Sequence, residues 1–181
     1  DYYMSSDFAF QYYDSLVDNP KVFVDYKNFA KDVQQGTLPE VSFVRMLGAK
    51  SEHPVTSDIA SGQAFCKQTT DLILNSPIYQ NETLVIIVQD ESGGYFDHYP
   101  LIPPSNIDGM PYSARLAAMF IGHFVKKQHV SHVPMEHSSI VKFLEWNYLD
   151  GNPGYLNTRD ECVNNLGSVL DESKTGVRVP N

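Results

Sequence analysis

The stretch TLVIIVQDESGGYFDH, from Thr83 to His98, decides how the rest of the chain is read. Leu84 to Val88 is apolar throughout and lacks the alternation of a half-exposed strand. A strand greasy on both faces belongs in the middle of a sheet, usually a parallel one with helices on both sides. In such sheets ligands bind beyond the carboxyl ends of the strands. At that end the sequence sets two adjacent carboxylates, Asp90 and Glu91, then Gly93-Gly94, then Asp97-His98. Neighbouring carboxylates held away from water repel each other, and their pKa values rise unless a cation lies between them. A divalent metal ion answers that need, because oxygen ligands suit Mg²⁺, Ca²⁺ or Mn²⁺, and Zn²⁺ or Fe in mixed sites. The glycines allow a tight turn there and leave room above the ion. A solvated acidic turn accounts for the same residues, and spacing alone does not separate the two.

Outward from this strand the pattern alternates helices and strands. Val22, Tyr26, Phe29, Ala30 and Val33 follow helical spacing, with Gly36 as the stop. Leu38 to Met46 alternates and predicts a strand. Ser57 or Asp58 caps a helix running to about Asn75. Ala114 to Val125 predicts a second buried strand, His137 to Tyr148 a helix, and Glu161 to Leu170 a short helix. The aromatic-rich start, DYYMSSDFAFQYYDSL, reads as packed irregular structure, and Tyr99 to Tyr112, with four prolines, as loop. Together these elements predict an α/β layered fold.

Two further groups carry chemistry. Ser51-Glu52-His53-Pro54 follows a predicted strand and precedes a helix, so His53 lies on a strand-end loop. It is suited to ligation, proton transfer or donation to a phosphate, although a lone loop histidine is more often plain surface. Met135-Glu136-His137-Ser138-Ser139 opens a helix, where backbone N–H groups suit an anion and the serines suit capping. His123, His129 and His132 lack a partner motif. No nucleophile elbow, Walker loop or dinucleotide fingerprint is present.

Composition narrows the classes. The 181 residues are 42% hydrophobic and 19% charged, enough for a folded domain with a core. A net charge of −9, with no basic cluster longer than Lys126-Lys127, argues against a nucleic-acid partner. No apolar run is long enough for a transmembrane helix. The sequon Asn81-Glu82-Thr83 precedes the greasy strand in a turn-like stretch that would accommodate a glycan. Such a tripeptide alone says little about secretion; the expectation carried forward is a secreted or extracytoplasmic glycoprotein, whose signal, if it is exported, has already been removed. With two cysteines, a Cys66–Cys162 disulfide, two buried thiols, or pairing with another chain are all open; the disulfide is carried forward as the expectation.

The segments LPEVSFV, SEHPVTSDIASGQAF, LVIIVQDESGGYFDHYPLIPP, EHSSIVKFLEWN and TRDECVNNL occur in this order. Over roughly Leu38 to Leu170 the chain resembles the C-terminal half of the bacterial phospholipase C / acid phosphatase phosphoesterase family. The resemblance implies a three-layer α/β sandwich around a mostly parallel sheet, alkaline phosphatase-like, of which only the C-terminal portion is in hand. Residues 1–37 then form a lead-in, 38–170 the C-terminal part of the phosphoesterase domain, and 171–181 a polar tail. It implies Asp90 and Glu91 as ligands of a divalent metal, His53 at the phosphate site as the catalytic histidine, and His98 and His137 as substrate-binding residues.

The chain departs from the family pattern at Glu136, where Asp is usual. It departs again at Arg115-Leu116-Ala117 and Ile121-Gly122-His123, around the second strand. The family's Glu-Asn metal pair and Ser/Thr nucleophile lie in an N-terminal half, which residues 1–37 do not match. The expected activity is therefore metal-dependent hydrolysis of phosphoric esters, a phospholipid among the candidate substrates. The nucleophile would come from that N-terminal half or a second chain. The alternative is a non-catalytic pseudoenzyme or binding subunit that keeps the fold.

Overall fold

The structure is a computed structural model that describes residues 13–17, 19–46, 48–99 and 105–181. The expected irregular start therefore lies largely outside the described residues, as do Pro100, Pro103 and Pro104 of the proline loop. Two units divide at Thr83 and Leu84.

In the first unit, a 3₁₀ turn at Tyr26–Asn28 leads into helix α1, Phe29–Gln35, which Gly36 ends. The Asp25 carboxylate accepts the Lys27 N–H at 3.0 Å and starts the turn. The helix thus begins later than the spacing from Val22 predicts, and Val22 and Val24 are exposed. Helix α2, Ile59–Leu74, has the predicted bounds. Its cap is Asp58, which accepts the Ser61 N–H at 2.8 Å. Val33, Phe65 and Ile73 are buried. The Tyr26 ring meets Phe65 edge-on, centroids 4.8 Å apart, and its hydroxyl lies 2.8 Å from Thr69 Oγ1.

Leu38 to Met46 forms no strand, which corrects the sequence reading. Val41, Phe43 and Val44 are exposed. Alternation becomes a strand only where a neighbour supplies a ladder, and the sheet among the described residues is built from two other segments. The Leu38 N–H donates instead to the Tyr79 hydroxyl at 3.0 Å.

In the second unit, strand β1, Leu84–Val88, pairs with strand β2, Ala118–Gly122. The pairing is antiparallel, with Leu84 opposite Gly122 and Val88 opposite Ala118. The described neighbour of β1 is thus antiparallel, where the apolar run predicts a parallel one. β2 is also shorter than Ala114 to Val125. It ends at Gly122, whose φ of +136° leaves strand geometry, and Val125 makes a separate bridge to Leu170.

Leu84 and Ile86 share one face of β1 and pack, with Phe120, against a cluster of Leu166, Val169, Leu170 and Val179. Phe143 and Trp146 of helix α3, His137–Tyr148, pack on the same cluster. The bounds of α3 are those predicted. The expected helix from Glu161 to Leu170 breaks in two: helix α4, Thr158–Cys162, and a 3₁₀ turn at Gly167–Val169. Between them the Asn165 side chain accepts the Leu166 N–H at 2.7 Å, a local bond that competes with helical backbone pairing. After the short helix α5, Glu172–Thr175, the last residues return to the core. Val179 is buried, and the Gly167 N–H donates to the Pro180 carbonyl at 3.1 Å. Val179, within the expected tail of residues 171–181, thus belongs to this cluster.

Among the described residues Cys66 and Cys162 are both free cysteines. Cys66 is half-buried on α2 of the first unit, and Cys162 is exposed at the end of α4 in the second. Among the described residues no helix is long and apolar enough to cross a membrane.

Candidate active site

Strand β1 delivers Asp90 and Glu91 to an exposed turn just past its carboxyl end. Asp90 Oδ1 accepts the Glu91 N–H at 3.0 Å, and the Glu91 carboxylate accepts the Gly93 N–H. Gly93 and Gly94 have φ of +63° and +74°, a conformation that side chains with a β-carbon rarely adopt. The turn thus needs glycine for its backbone, and each carboxylate accepts a backbone N–H one or two residues further along it.

Further along the loop, Asp97 is gripped by Arg115, with Nε 2.8 Å from Oδ2 and Nη2 2.7 Å from Oδ1. The Tyr99 N–H adds a third bond at 3.0 Å, and the guanidinium sits 4.8 Å from the centre of the Tyr99 ring. The Arg115 fork, helped by that N–H, holds the Asp97 carboxyl far below the usual carboxylate range. His98 projects into solvent, its Nδ1 3.7 Å from Asp97 Oδ1.

His137, the first residue of α3, reaches the same strand end. Its Nε2 lies 2.8 Å from the Gln89 carbonyl oxygen, one residue before Asp90. A carbonyl only accepts, so Nε2 carries the proton and Nδ1 is left as the ring's acceptor. His137 is therefore fastened to the backbone one residue before Asp90, with His98 on the loop that follows. Among the described residues, no group of three or more His, Cys, Asp or Glu side chains is gathered closely enough to hold a metal ion.

The start of α3 is held by a network that sequence reasoning missed. Arg159 of α4 forks onto Glu136, with Nε 2.6 Å from Oε1 and Nη2 3.0 Å from Oε2. Its Nη1 donates to Asp108 Oδ2 at 2.6 Å, and its guanidinium lies 5.4 Å from the centre of the Tyr112 ring. Burial works against the Glu136 charge, but hydrogen bonds from Arg159, Tyr112 and Ser138 outweigh it and keep its carboxyl below the ordinary value. The Glu136 N–H donates to Ser139 Oγ at 3.1 Å, so the serine does cap this helix, from inside its first turn. Twenty-three residues separate Arg159 from Glu136. No local spacing rule links positions so far apart, although TRDEC was among the segments that carry the resemblance.

In the first unit, the loop around His53 is strained. Glu52 and Val55 both have positive φ, +62° and +74°. For a β-branched residue such as Val55 that is an outlier, and outliers of this kind cluster at functional sites. His53 is exposed, with Nδ1 2.7 Å from the Pro54 carbonyl. The loop is seated on α2 through Glu52: a β-carbon on Gly62 would lie 2.0 Å from Glu52 Cγ. Burial, with the Glu52 charge adding to it, pushes the Cys66 thiol up, away from nucleophilic use. Asn81 is exposed in a turn before β1.

Comparison with known proteins gives these features a context. Residues 2–149 match the model of the Phosphoesterase family. Non-specific phospholipase C3 of Arabidopsis thaliana is 29% identical over 84% of this chain and 34% of its own length. Non-specific phospholipase C4 of the same plant is 30% identical over 78% of this chain and 31% of its own length. Phospholipase C B of Mycobacterium tuberculosis (strain CDC 1551 / Oshkosh) is 26% identical over 80% of this chain and 32% of its own length. The chain thus spans about a third of each relative. With its strand-end carboxylates and the histidine anchored beside them, the chain belongs to the Phosphoesterase family.

Proposed function

We propose that this chain is part of a metal-dependent phosphoric ester hydrolase of the phospholipase C or acid phosphatase type. The observation that carries the reading is the bond from His137 to the Gln89 carbonyl, at the strand end that leads into Asp90 and Glu91, in a member of the Phosphoesterase family. Two carboxylates are hard oxygen donors suited to a divalent cation, but they make only part of a coordination sphere. The remaining ligands and the Ser/Thr nucleophile belong to an N-terminal half or second chain. Such a metal ion, when bound, polarises phosphoryl oxygens and activates the attacking group.

Asp90 and Glu91 are the groups we assign to holding the ion. His53 is assigned to donating a hydrogen bond or proton to substrate oxygens, and the strain of its loop supports a functional role. His98 and His137 are assigned to substrate binding. Two further features support the reading. β1 is apolar on both faces yet pairs along one edge among the described residues, which suits a larger, mostly parallel sheet in a three-layer sandwich. The exposed Asn81 suits a glycan and, with it, a secreted or extracytoplasmic location.

The test is hydrolysis of a chromogenic phosphate monoester, a phosphodiester and phosphatidylcholine vesicles, with and without chelator, by the protein that carries this chain. Chelator-sensitive turnover is expected, together with loss of bound metal in Asp90→Asn and Glu91→Gln. Turnover indifferent to chelator, or full metal content in Asp90→Asn, overturns the assignment. No turnover with any substrate or metal favours a non-catalytic role.

A further inference from the structure

We propose that Arg159 is a positioning residue for the strand-end site: it fixes the first turn of α3 so that His137 stays bonded to the Gln89 carbonyl beside Asp90. The inference rests on the functional reading above for its consequence in catalysis, but not for its geometry.

The chain of contacts is continuous. Arg159 is anchored at its own backbone, where Asn157 Oδ1 accepts its N–H at 2.7 Å. Its guanidinium uses three nitrogens on two carboxylates, both oxygens of Glu136 and one of Asp108. A planar fork on both oxygens of one carboxylate fixes orientation as well as distance, which a lysine ammonium does not. The Arg159 and Glu136 side chains are only 23% and 14% exposed, so solvent screens the pair weakly.

Glu136 is the residue directly before His137, and its N–H is tied into the first turn through Ser139. Locking Glu136 therefore locks the direction in which α3 leaves the loop. His137 Nε2 then meets the Gln89 carbonyl at 2.8 Å, which fixes the tautomer and keeps Nδ1 as the acceptor. Asp108 ties a third segment to the same guanidinium. The loop that holds it is closed by the Ser105 N–H on the Met110 carbonyl at 2.9 Å and by the Gly109 N–H on the Ser105 carbonyl at 2.9 Å. One side chain thus joins the α4 start, the α3 start and the 105–110 loop, and its effect converges on the imidazole bonded to the Gln89 carbonyl.

The experiment uses Arg159→Met and Arg159→Lys in the protein that carries this chain, with two readouts. The first is the ¹⁵N NMR signature of the His137 imidazole, assigned with His137→Gln. Wild type is expected as the single Nε2–H tautomer, Arg159→Met as a mixture of tautomers, and Arg159→Lys in between. The second is turnover of a chromogenic phosphate ester. In Arg159→Met kcat is expected to fall about tenfold or more, the cost of a misplaced group, with KM changed by no more than about twofold. A lower melting temperature with the His137 signature and kcat unchanged means that Arg159 is structural only, and overturns the proposal. If Arg159→Met does not fold, Arg159→Lys decides by the same two readouts. If wild type shows no turnover, the functional reading fails while the tautomer measurement still decides this one.

Discussion

His137 Nε2 lies 2.8 Å from the carbonyl oxygen of Gln89, the last residue before Asp90. A side chain from the start of a helix is thereby fastened to the backbone that carries both strand-end carboxylates. The bond assigns the two ring nitrogens different tasks. Nε2–H holds the ring, and Nδ1 is left to accept a proton or a ligand.

Substitutions at His137 separate those tasks. The amide of Gln reaches about as far as Nε2 and carries a donor, whereas Ala carries none. His137→Ala is expected to lose a net hydrogen bond of about 1 kcal/mol, and kcat by about a hundredfold if Nδ1 serves in proton transfer. His137→Gln is expected to recover the stability and not the turnover. Urea titration and initial rates on a phosphate monoester check both. Full activity in His137→Gln would show that the ring acts only as a fastener.

The Arg115–Asp97 fork makes stability depend on acid. The carboxyl of Asp97 is held below its ordinary value, chiefly by Arg115 and then by the Tyr99 N–H. A depressed folded-state pKa contributes stability that is present above the unfolded value and is lost as pH falls toward the folded one. The loss therefore begins near the unfolded aspartate value of about 3.9 and continues below it. Denaturant midpoints measured from pH 6 to pH 2 are expected to fall below about pH 4, and to fall less steeply in Asp97→Asn. Parallel curves for the two proteins would remove the fork from the account.

Gly62 and Glu52 form a lock between the His53 loop and α2. Alanine is the better helix former by about 1 kcal/mol, so on propensity alone Gly62→Ala should stabilise α2. The added carbon, however, would lie 2.0 Å from Glu52 Cγ, near the root of that side chain rather than at its mobile end. Overpacking of this kind costs roughly 1–3 kcal/mol, so net destabilisation is expected. The double variant Glu52→Ala/Gly62→Ala removes the clash and is expected to be at least as stable as Glu52→Ala alone. Thermal melts of the three variants test this. A stabilised Gly62→Ala single variant would show that Glu52 moves aside freely.

Parts of this arrangement are legible in the sequence because they rest on local patterns. The apolar run of β1, the Asp58 cap of α2 and the bounds of α3 all depend on neighbours within a few residues. The acidic pair at the strand end is legible for the same reason. What escapes is set by distant partners. Leu38 to Met46 alternates like a strand, but alternation does not reveal whether a ladder partner exists. Glu161 to Leu170 has helical spacing, but the Asn165 side chain captures the Leu166 N–H and breaks it. Arg159 and Glu136 meet only because α3 and α4 fold back on each other. Val179 resembles the end of a polar tail until Leu166 and Leu170 enclose it.

The two thiols are expected to react at different rates, for reasons that can be separated. Cys162 is exposed at the end of α4, whereas Cys66 is half-buried on α2. Burial raises the Cys66 thiol, and the Glu52 carboxylate raises it further by opposing the thiolate. Only the thiolate attacks a disulfide reagent, so Cys66 is slow both from access and from ionisation. Two phases are expected with an aromatic disulfide, the fast one mapping to Cys162 by peptide mass. Glu52→Gln keeps the side chain's shape and removes its charge, so it is expected to accelerate the slow phase alone. An unchanged slow phase would assign the difference to access. A Cys66–Cys162 linked peptide in a non-reducing digest would overturn the free-thiol assignment itself.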